Sequence, residues 1–350
     1  MYTNPYIEKT ERVFPMQGRG EFLRYDMNEN PEGLPLDFVE EVKREITPEF
    51  LAMYPEPDLF LRCYANYMGV DFSQVMATNG SDMSIRYLLE IFGEPGKDVV
   101  TVSPSFEMYW VNCNILGLHH IPVPYELDMT IDMENILTAI TEDTRVVVLL
   151  NPNNPMGNAY TEEEAERVIS KAEKVGALVI VDEAYHYFHE GTLLELVKRH
   201  ENVALLRTFS KLFSLAACRL GVITASEHII QQVKKAKLTF DVNSIALLFG
   251  VKLLEHPEIE QNLIAEEKEG KAYLIDSLQS RGYECKACEG NFVLVKIGTE
   301  SKKLAQRLEK QKVLVKTFSK GVLKEYLRIS TGSKRSMDKF IERLDMALEV

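Results

Sequence analysis

Seven short apolar runs, each about as long as a buried strand, alternate with helical segments between residues 75 and 224. Strands that are apolar on both faces are typical of parallel sheets covered by helices on both sides. We therefore expect an α/β fold built on a mostly parallel, seven-stranded sheet. The predicted strands are residues 75–78, 98–102, 119–123, 145–150, 178–181, 203–207 and 220–224.

After residue 243 the pattern changes to a long helical stretch, residues 244–281, followed by shorter elements. The N-terminal residues 1–34 are polar and rich in turn residues, and Pro35 is expected to open a helix. We expect a large domain over residues 35–243 and a smaller α+β domain formed by residues 1–34 and 244–350. The strands predicted there are 283–286, 292–296, 313–315 and 326–329, with helices at 299–311 and 335–349.

The chain carries 53 acidic and 40 basic residues, a net charge of −13, which argues against nucleic acid and anionic membranes as main partners. No apolar run approaches the length of a membrane span, and the N-terminus lacks the apolar core of a signal peptide. With five cysteines, an odd number, we expect reduced thiols and a cytoplasmic location. Cys285 and Cys288 are spaced like metal ligands but lack two further ligands, so no metal is expected.

Lys211 follows an apolar strand and stands among Phe209 and Leu212. Apolar surroundings remove the hydration of an ammonium group, which favours the neutral and nucleophilic amine. The reaction typical of such an amine is Schiff-base formation with an aldehyde. Ser210 and Arg219 stand nearby and supply a hydroxyl and a guanidinium fork that suit a phosphate. An aldehyde together with a phosphate describes pyridoxal 5′-phosphate.

Asp182 directly follows a buried strand, where a carboxylate needs a cationic partner or several hydrogen-bond donors. A protonated pyridine nitrogen is such a partner, and the ion pair makes the ring an electron sink. Tyr185 is close enough in sequence to donate a hydrogen bond to the phenolic oxygen of the same ring. Asn154 lies in a loop stiffened by two prolines, which frees its side chain to point into a site. Arg328 lies within an apolar strand and favours a carboxylate, which an amino-acid substrate brings.

Two further segments after predicted strands allow either a functional or a purely structural interpretation. Ser81 opens a helix whose first N–H groups suit a phosphate, although an ordinary helix cap explains the residue at least as well. Phe106, Tyr109 and Trp110 follow the second strand. One of these rings would stack on the pyridine face, or all three would pack in the core.

These parts, in this order, resemble the fold-type-I pyridoxal phosphate enzymes of the class I and II aminotransferases. Within them the chain is most similar to the histidinol-phosphate aminotransferases of amino-acid biosynthesis. The resemblance runs from about residue 26 to the end of the chain. The motifs that carry it are Asn28-Glu-Asn-Pro, Tyr54-Pro-Glu-Pro, Asn79-Gly-Ser-Asp, the loop from Asn151 to Gly157, Asp182-Glu-Ala-Tyr, Ser210-Lys with Arg219, and Leu327-Arg-Ile-Ser.

The resemblance implies that Lys211 bonds covalently to the cofactor and carries a proton during catalysis. It implies that Asp182 pairs with the ring nitrogen, that Tyr109 stacks on the ring, and that Asn154 and Tyr185 bond to the ring oxygen. The residues implied around the cofactor phosphate are Gly80, Ser81, Asp82, Ser210, Arg219 and, from the neighbouring subunit of a homodimer, Tyr54. The residues implied in substrate binding are Arg328, Asn30 and Lys316.

Two departures from the family pattern stand out. Met156 replaces a threonine, and Lys316 stands where histidinol-phosphate enzymes carry an arginine that grips the substrate phosphate. A lysine meets a phosphate as a point charge without the fork of an arginine. The expected donor is therefore an amino acid or an amino phosphate ester, of the histidinol phosphate type or aromatic.

We expect an aminotransferase that moves the amino group of this donor to a 2-oxo acid such as 2-oxoglutarate. Two other reactions are open on the same scaffold, namely decarboxylation, as in threonine-phosphate decarboxylase, and β-elimination. A regulator that binds the cofactor without catalysis would need a DNA-binding module, and the sequence has no basic appended domain.

Overall fold

The computed structural model of the protein describes all residues except Glu11, Val13 and Val350. Within the described residues the strands form one sheet of seven and one of five. In chain order the strands are β1 Leu23–Tyr25, β2 Val75–Asn79, β3 Asp98–Ser103, β4 His119–Pro124, β5 Thr144–Leu150, β6 Leu178–Asp182, β7 Val203–Thr208, β8 Leu220–Ala225, β9 Glu284–Ala287, β10 Phe292–Lys296, β11 Val313–Thr317 and β12 Tyr326–Ser330.

The large sheet has the strand order β2-β8-β7-β6-β5-β3-β4. Its strands are parallel except for β8, which runs antiparallel to both of its neighbours, β2 and β7. Alternate residues of a strand face opposite sides, and in β6 Val179 and Val181 enter one core cluster while Ile180 enters the other. The mostly parallel α/β sheet predicted from the sequence is confirmed.

Helices cover both faces of the large sheet. The cluster on one face includes residues from α5, α6 and α10, and the other includes residues from α2, α4, α7, α8, α9 and α11. None of the helices within the described residues is long and apolar enough to cross a membrane. The helices are α1 Pro5–Glu8, α2 Leu36–Lys43, α3 Pro48–Ala52, α4 Asp58–Met68, α5 Ser81–Phe92, α6 Glu107–Leu116, α7 Met133–Ala139, α8 Glu162–Lys174, α9 Leu194–Arg199, α10 Glu227–Ala236, α11 Ser244–Glu255, α12 Pro257–Gln279, α13 Ser301–Lys310 and α14 Lys334–Leu348.

The five-stranded sheet joins the two ends of the chain. Its order is β1-β11-β12-β10-β9, with β1 parallel to β11 and the other pairs antiparallel. Strand β1 is not among the predicted strands, because it is three residues long and its partner lies far away in sequence, with Leu23 opposite Val313. A separate core, with side chains from α12, α13 and α14, covers this sheet.

Helix α2 buries only part of the face that its sequence predicts. The helical spacing of Leu36, Val39, Val42 and Ile46 predicts contacts with the core. Val42 is buried and Val39 packs against the core, but Leu36 is 74% exposed. Val42 and Phe38 are the residues of α2 that are buried. The helix is only eight residues long, so the pattern spans too few turns to define its phase.

The long helical stretch is divided at Pro257, which opens α12. Helix α11 packs against α4, and Ala246 and Phe249 belong to the core of the large sheet, as does Leu263 in α12. The remainder of α12, from Leu274, belongs to the core of the small sheet. We therefore propose that the boundary between the two units lies within α12 rather than at residue 243.

Candidate active site

A cavity of about 510 Å³ lies where β2, β5, β6 and β7 end. The carboxyl ends of parallel strands share one edge of a sheet, so residues that are distant in sequence meet there. The residues predicted for the ring of the cofactor and for its phosphate both line this cavity. They are Asn154, Asp182, Tyr185 and Lys211 for the ring and aldehyde, and Ser81, Asp82, Ser210 and Arg219 for the phosphate. Eight of the residues predicted from the sequence are thus brought together.

Asp182 is a buried carboxylate without a cationic partner. It is 2% exposed, and it accepts hydrogen bonds from Tyr109 Oη (2.7 Å, to Oδ2) and from the N–H of Ala184 (3.1 Å, to Oδ1). Burial raises its pKa to about 6, although these two bonds lower it. The neighbouring cation, Arg207, pairs instead with Glu183 (2.8 Å), and no described side chain forms an ion pair with Asp182. This arrangement fits a ligand that brings a positive charge.

Tyr109 does not line the cavity, contrary to the expectation that it would stack on the cofactor ring. It lies in the first turn of α6, is 1% exposed and bonds to Asp182. Phe106, the residue before this helix, lines the cavity instead. Helix phase therefore separates the two rings, since Phe106 precedes α6 and Tyr109 turns towards the core beside the sheet. We therefore propose Phe106, rather than Tyr109, as the residue that would stack on the cofactor ring.

Tyr185 links the cavity to the small sheet. Its hydroxyl oxygen accepts hydrogen bonds from Asn154 Nδ2 (2.8 Å) and from Asn28 Nδ2 (3.0 Å). Asn154 Oδ1 in turn accepts a hydrogen bond from Arg328 Nη1. Arg328 is buried, which lowers its pKa, and its Nη2 donates to the carbonyl of Asp26 (2.6 Å). The arginine expected to bind a carboxylate is therefore two hydrogen bonds away from the tyrosine expected at the ring oxygen.

Lys211 is half-buried between two cavities. Its Nζ donates to the carbonyl of Met27 (2.9 Å) and lies 5.6 Å from the centre of the Tyr185 ring. Lys211 and Asn30, which was expected to bind substrate, both line a second cavity of about 290 Å³. The amine is therefore next to the residues of the main cavity and to the N-terminal segment.

The N-terminus of α5 and the side chain of Arg219 form a site suited to a phosphate. Ser81 and Asp82 supply the first N–H groups of the helix. Arg219 Nη1 contacts Ser210 Oγ (3.4 Å), and Nη2 pairs with Asp82 Oδ2 (3.0 Å). Gly80 has a φ of +73°, and a Cβ there would lie 2.4 Å from Arg219 Nη2. A side chain at position 80 would therefore strain the backbone and displace the guanidinium of Arg219.

Tyr54 and Lys316 lie outside the main cavity of their own chain. Tyr54 is 74% exposed and stacks on Phe240, with the ring centres 4.4 Å apart and the planes at 20°. Lys316 is exposed and lies directly opposite Arg328 across β11 and β12. Opposite residues of an antiparallel pair share a face of the sheet, so Lys316 is on the same face as the buried arginine.

Three functional positions were not identified from the sequence. Thr208 lines the cavity and donates from Oγ1 to Ser210 Oγ (3.0 Å). A Cβ at Gly221 would lie 2.4 Å from the backbone nitrogen of Ser81, so this glycine lets β8 approach the start of α5. Asn28 contacts Tyr185. Asn28 and Gly221 lie in or beside motifs quoted above, but the motifs alone do not assign a contact to either.

Together these groups fit pyridoxal 5′-phosphate. Asp182 suits its ring nitrogen, Tyr185 its ring oxygen and Lys211 its aldehyde, while Arg219 and the start of α5 suit its phosphate.

Comparisons with known proteins extend over both sheets. The family model described as "Aminotransferase class I and II" matches residues 23–344. The histidinol-phosphate aminotransferase of Thermotoga sp. (strain RQ2) is 32% identical over 354 residues, which cover 98% of this chain and 99% of the relative. That of Akkermansia muciniphila is 32% identical over 346 residues, covering 98% and 94%.

Solved structures share the fold at lower identity. The crystal structure of histidinol-phosphate aminotransferase from Sinorhizobium meliloti in complex with pyridoxal-5′-phosphate matches with a TM-score of 0.88 and 22% identity, covering 99% of this chain and 97% of that one. A mutant aspartate aminotransferase from Thermus thermophilus matches with a TM-score of 0.82 and 18% identity, covering 99% of both chains. These matches confirm the predicted fold class.

Proposed function

The chain belongs to the class I and II aminotransferases and uses pyridoxal 5′-phosphate, and we propose that its amino donor is an amino acid or an amino phosphate ester. It is a transaminase of fold type I. On this chain the observation that supports the chemistry is Asp182, a buried carboxylate that lines the same cavity as Lys211 and has no cationic partner among the described residues. The two relatives described above are both named histidinol-phosphate aminotransferases, which favours transamination over decarboxylation or elimination.

The protein's contribution is to hold the cofactor and to direct its chemistry. When bound, pyridoxal 5′-phosphate supplies an aldehyde that takes up the amine and a protonated ring that withdraws electrons. We assign Asp182 to keep a proton on the ring nitrogen, and Phe106 to cover one face of the ring. Asn154 and Tyr185 hold the ring oxygen through an amide N–H and a hydroxyl. Arg219 and the start of α5, with Ser210, neutralise the phosphate.

Lys211 is the proton carrier in this assignment. Its Nζ lies beside Tyr185 and donates to the carbonyl of Met27, so the amine is held by a single neutral acceptor. With the cofactor bound, the Lys211 amine would be placed to take the proton from the α-carbon of the substrate and to give it back. The fork of Arg328 would orient the substrate by its α-carboxylate or, in a phosphate ester without one, by its phosphate. This anion would replace the carbonyl of Asp26 as acceptor.

Lys316 supports a donor that carries a phosphate. It is exposed and lies opposite Arg328 on the same face of the small sheet, so one anionic group could contact both cations. A phosphate ester of the histidinol phosphate type has no α-carboxylate, and its doubly charged phosphate would contact both Arg328 and Lys316. An aromatic amino acid would use only Arg328. The acceptor in either case is a 2-oxo acid such as 2-oxoglutarate, in amino-acid biosynthesis.

We place the enzyme in the cytoplasm as a homodimer. All five cysteines are free thiols, which suits a reducing compartment. Tyr54 and its stacking partner Phe240 are exposed, and the neighbouring side chains of Leu51 and Leu59 are exposed as well. A group of exposed apolar side chains of this kind marks an interaction surface. In the dimer Tyr54 would leave its own chain's surface and reach the cofactor phosphate of the partner.

A donor screen tests the proposed function. The purified protein with bound cofactor is given histidinol phosphate, histidinol and aromatic amino acids, each with 2-oxoglutarate, and glutamate formation and the cofactor spectrum are followed. We expect the donor alone to convert the spectrum to the aminated form, and 2-oxoglutarate to restore it. Lys211→Ala should lose both turnover and the visible absorbance. Release of carbon dioxide without glutamate would establish the decarboxylase alternative instead.

A further inference from the structure

Asn28 is fully buried although it lies in the polar N-terminal segment, and its backbone is in the left-handed region (φ +54°). Asparagine tolerates this conformation better than most residues. Its N–H donates to Ser330 Oγ (2.8 Å), and its carbonyl accepts from Asn291 Nδ2 (3.1 Å). Residues at the end of β12 and just before β10 therefore hold the backbone of Asn28 in place.

The orientation of the Asn28 amide is set by Ser330. Ser330 Oγ already accepts the N–H of Asn28, so its own hydrogen is available, and it donates to Asn28 Oδ1 (3.0 Å). The amide oxygen is thereby turned towards the serine. The amide nitrogen must point the other way, where it donates to Tyr185 Oη (3.0 Å).

Tyr185 Oη receives a second N–H bond, from Asn154 Nδ2 (2.8 Å), and that amide is oriented by Arg328, which donates to its oxygen. A phenol oxygen has two acceptor positions and one hydrogen. With both acceptor positions filled, the hydroxyl of Tyr185 can act only as a donor, and the residue lines the cofactor cavity. Two donated N–H bonds also polarise the O–H group and strengthen it as a donor.

We propose that Asn28 is a positioning residue that commits Tyr185 to donate a hydrogen bond to the ring oxygen of the bound cofactor. A bond donated to this oxygen stabilises its negative charge, so the oxygen holds the nearby proton of the cofactor–Lys211 linkage less strongly. Asn28 thereby lowers the pH at which the bound cofactor takes up that proton. The inference rests on the proposed function, because it requires pyridoxal 5′-phosphate in the cavity.

Two substitutions distinguish the effect of the Asn28 side chain from the effect of its backbone conformation. Asn28→Gly keeps the left-handed backbone and removes the amide. Asn28→Asp keeps the shape, but puts an acceptor where Tyr185 now receives an N–H, so the tyrosine would donate to the introduced carboxylate rather than to the cofactor. The visible absorbance of each holoenzyme is titrated against pH. Both variants should raise the midpoint by about one pH unit, towards the value for Tyr185→Phe.

A double variant tests whether Asn28 acts through Tyr185. In a Tyr185→Phe background, Asn28→Gly should produce no further shift, because residues that act through one contact are not additive. Glu32→Gln, an exposed position in the same segment, serves as the control and should leave the midpoint unchanged. Thermal unfolding of the apo forms checks that each variant folds. If Asn28→Gly does not fold, Ser330→Ala, which releases the amide orientation, replaces it.

The outcomes separate the inference from the function on which it rests. Unchanged midpoints for the Asn28 variants, alongside a shifted midpoint for Tyr185→Phe, overturn the role of Asn28 and leave the transaminase intact. An additive shift in the double variant also overturns it, because Asn28 would then act by another route. A native protein that acquires no visible absorbance with the cofactor overturns the proposed function itself.

Discussion

The hydroxyl of Tyr109 lies 2.7 Å from Asp182 Oδ2, so a neutral donor on α6 holds the carboxylate at the end of β6. Burial raises the pKa of Tyr109 well above its usual value, and the phenol therefore keeps its proton. Because this bond favours the ionised form of Asp182, Tyr109 determines how readily that carboxylate pairs with a cation.

Tyr109→Phe removes one hydroxyl and keeps the ring. The hydrogen bond from Tyr109 lowers the pKa of Asp182, so its loss should raise that pKa and weaken cofactor binding roughly tenfold. We also expect the acid limb of the kcat/KM profile to move to higher pH. Tyr87→Phe removes a similar bond, from Tyr87 to Asp241 (3.0 Å), outside the cavity and is the matched control. Equal cofactor affinities in the two variants would contradict the role of Tyr109.

Asp182→Asn should stabilise the apoenzyme. Burial raises the pKa of Asp182 from 3.8 to about 6, so the folded protein binds this proton more tightly than the unfolded chain. The contribution of Asp182 to the free energy of unfolding is fully present below about pH 4. It falls by about 3 kcal/mol in all as the pH rises through 6. Urea unfolding should therefore show the variant more stable than the native apoenzyme at pH 7 and similar to it at pH 4. If the variant were more stable than the native apoenzyme at pH 4 and not at pH 7, the predicted effect of Asp182 on stability would be wrong.

Gly80→Ala should impair cofactor binding more than its backbone strain alone can explain. The added Cβ would lie 2.4 Å from Arg219 Nη2 and displace the guanidinium. Gly96→Ala has a similar φ, +83°, with no neighbouring atom within 4 Å, and controls for the strain. We expect both variants to lose about 1 kcal/mol of stability, and only Gly80→Ala to lose cofactor affinity, by about tenfold or more. Equal affinities measured by absorbance titration would exclude the assigned role of Arg219.

Lys316 is expected to discriminate between donors. Lys316→Ala should raise KM for a phosphate-bearing donor by about tenfold and leave KM for an aromatic amino acid unchanged, since only the doubly charged phosphate would use a second cation beside Arg328. Lys316→Arg should lower the first value, because the guanidinium adds a second, parallel hydrogen bond. Lys320→Ala, at another exposed lysine nearby, is the control. If Lys316→Ala changes KM equally for both donors, Lys316 does not bind the phosphate of the donor.

Tyr54→Ala and Lys211→Ala chains should complement each other. Each homodimer would lack one essential group per site. A mixed dimer would contain one complete site, made of Lys211 from one chain and Tyr54 from the other. Exchange of subunits between the two inactive proteins should therefore restore part of the activity. Absence of any gain, when mixed dimers are detected by mass spectrometry, would remove Tyr54 from the partner's site.

The large sheet was predictable because its strands are buried on both faces. Every predicted strand of this sheet is present, and each end lies within one residue of the prediction. Local sequence was insufficient for β1, whose pairing with β11 depends on contacts across nearly the whole chain. One core contact of α2 was also missed, since two turns of helix define their phase poorly. Phe38 rather than Leu36 enters the core, although Val42 is buried as the spacing predicts.

In the site, residues that belong to recognisable motifs were predictable and their contacts were not. Asp182, Tyr185, Lys211 and Arg219 line one cavity, as the order of motifs along the chain implied. Whether Phe106 or Tyr109 lines the cavity depends on the residue at which α6 begins, which the sequence does not define to within one residue. Asn28 owes its position to Ser330, far away in sequence, and no local pattern contains that information.

The reversal of β8 has a consequence for anion binding. Strand β8 begins at the edge of the sheet where β2 and β7 end, because it runs antiparallel to both. Arg219, which precedes Leu220, therefore lies beside Ser210 and Gly80. Had this strand followed the direction of the others, its first residue would lie at the opposite rim, roughly 20 Å away. The antiparallel direction of β8 thus places the positive charge of Arg219 at the edge of the sheet where the phosphate would bind.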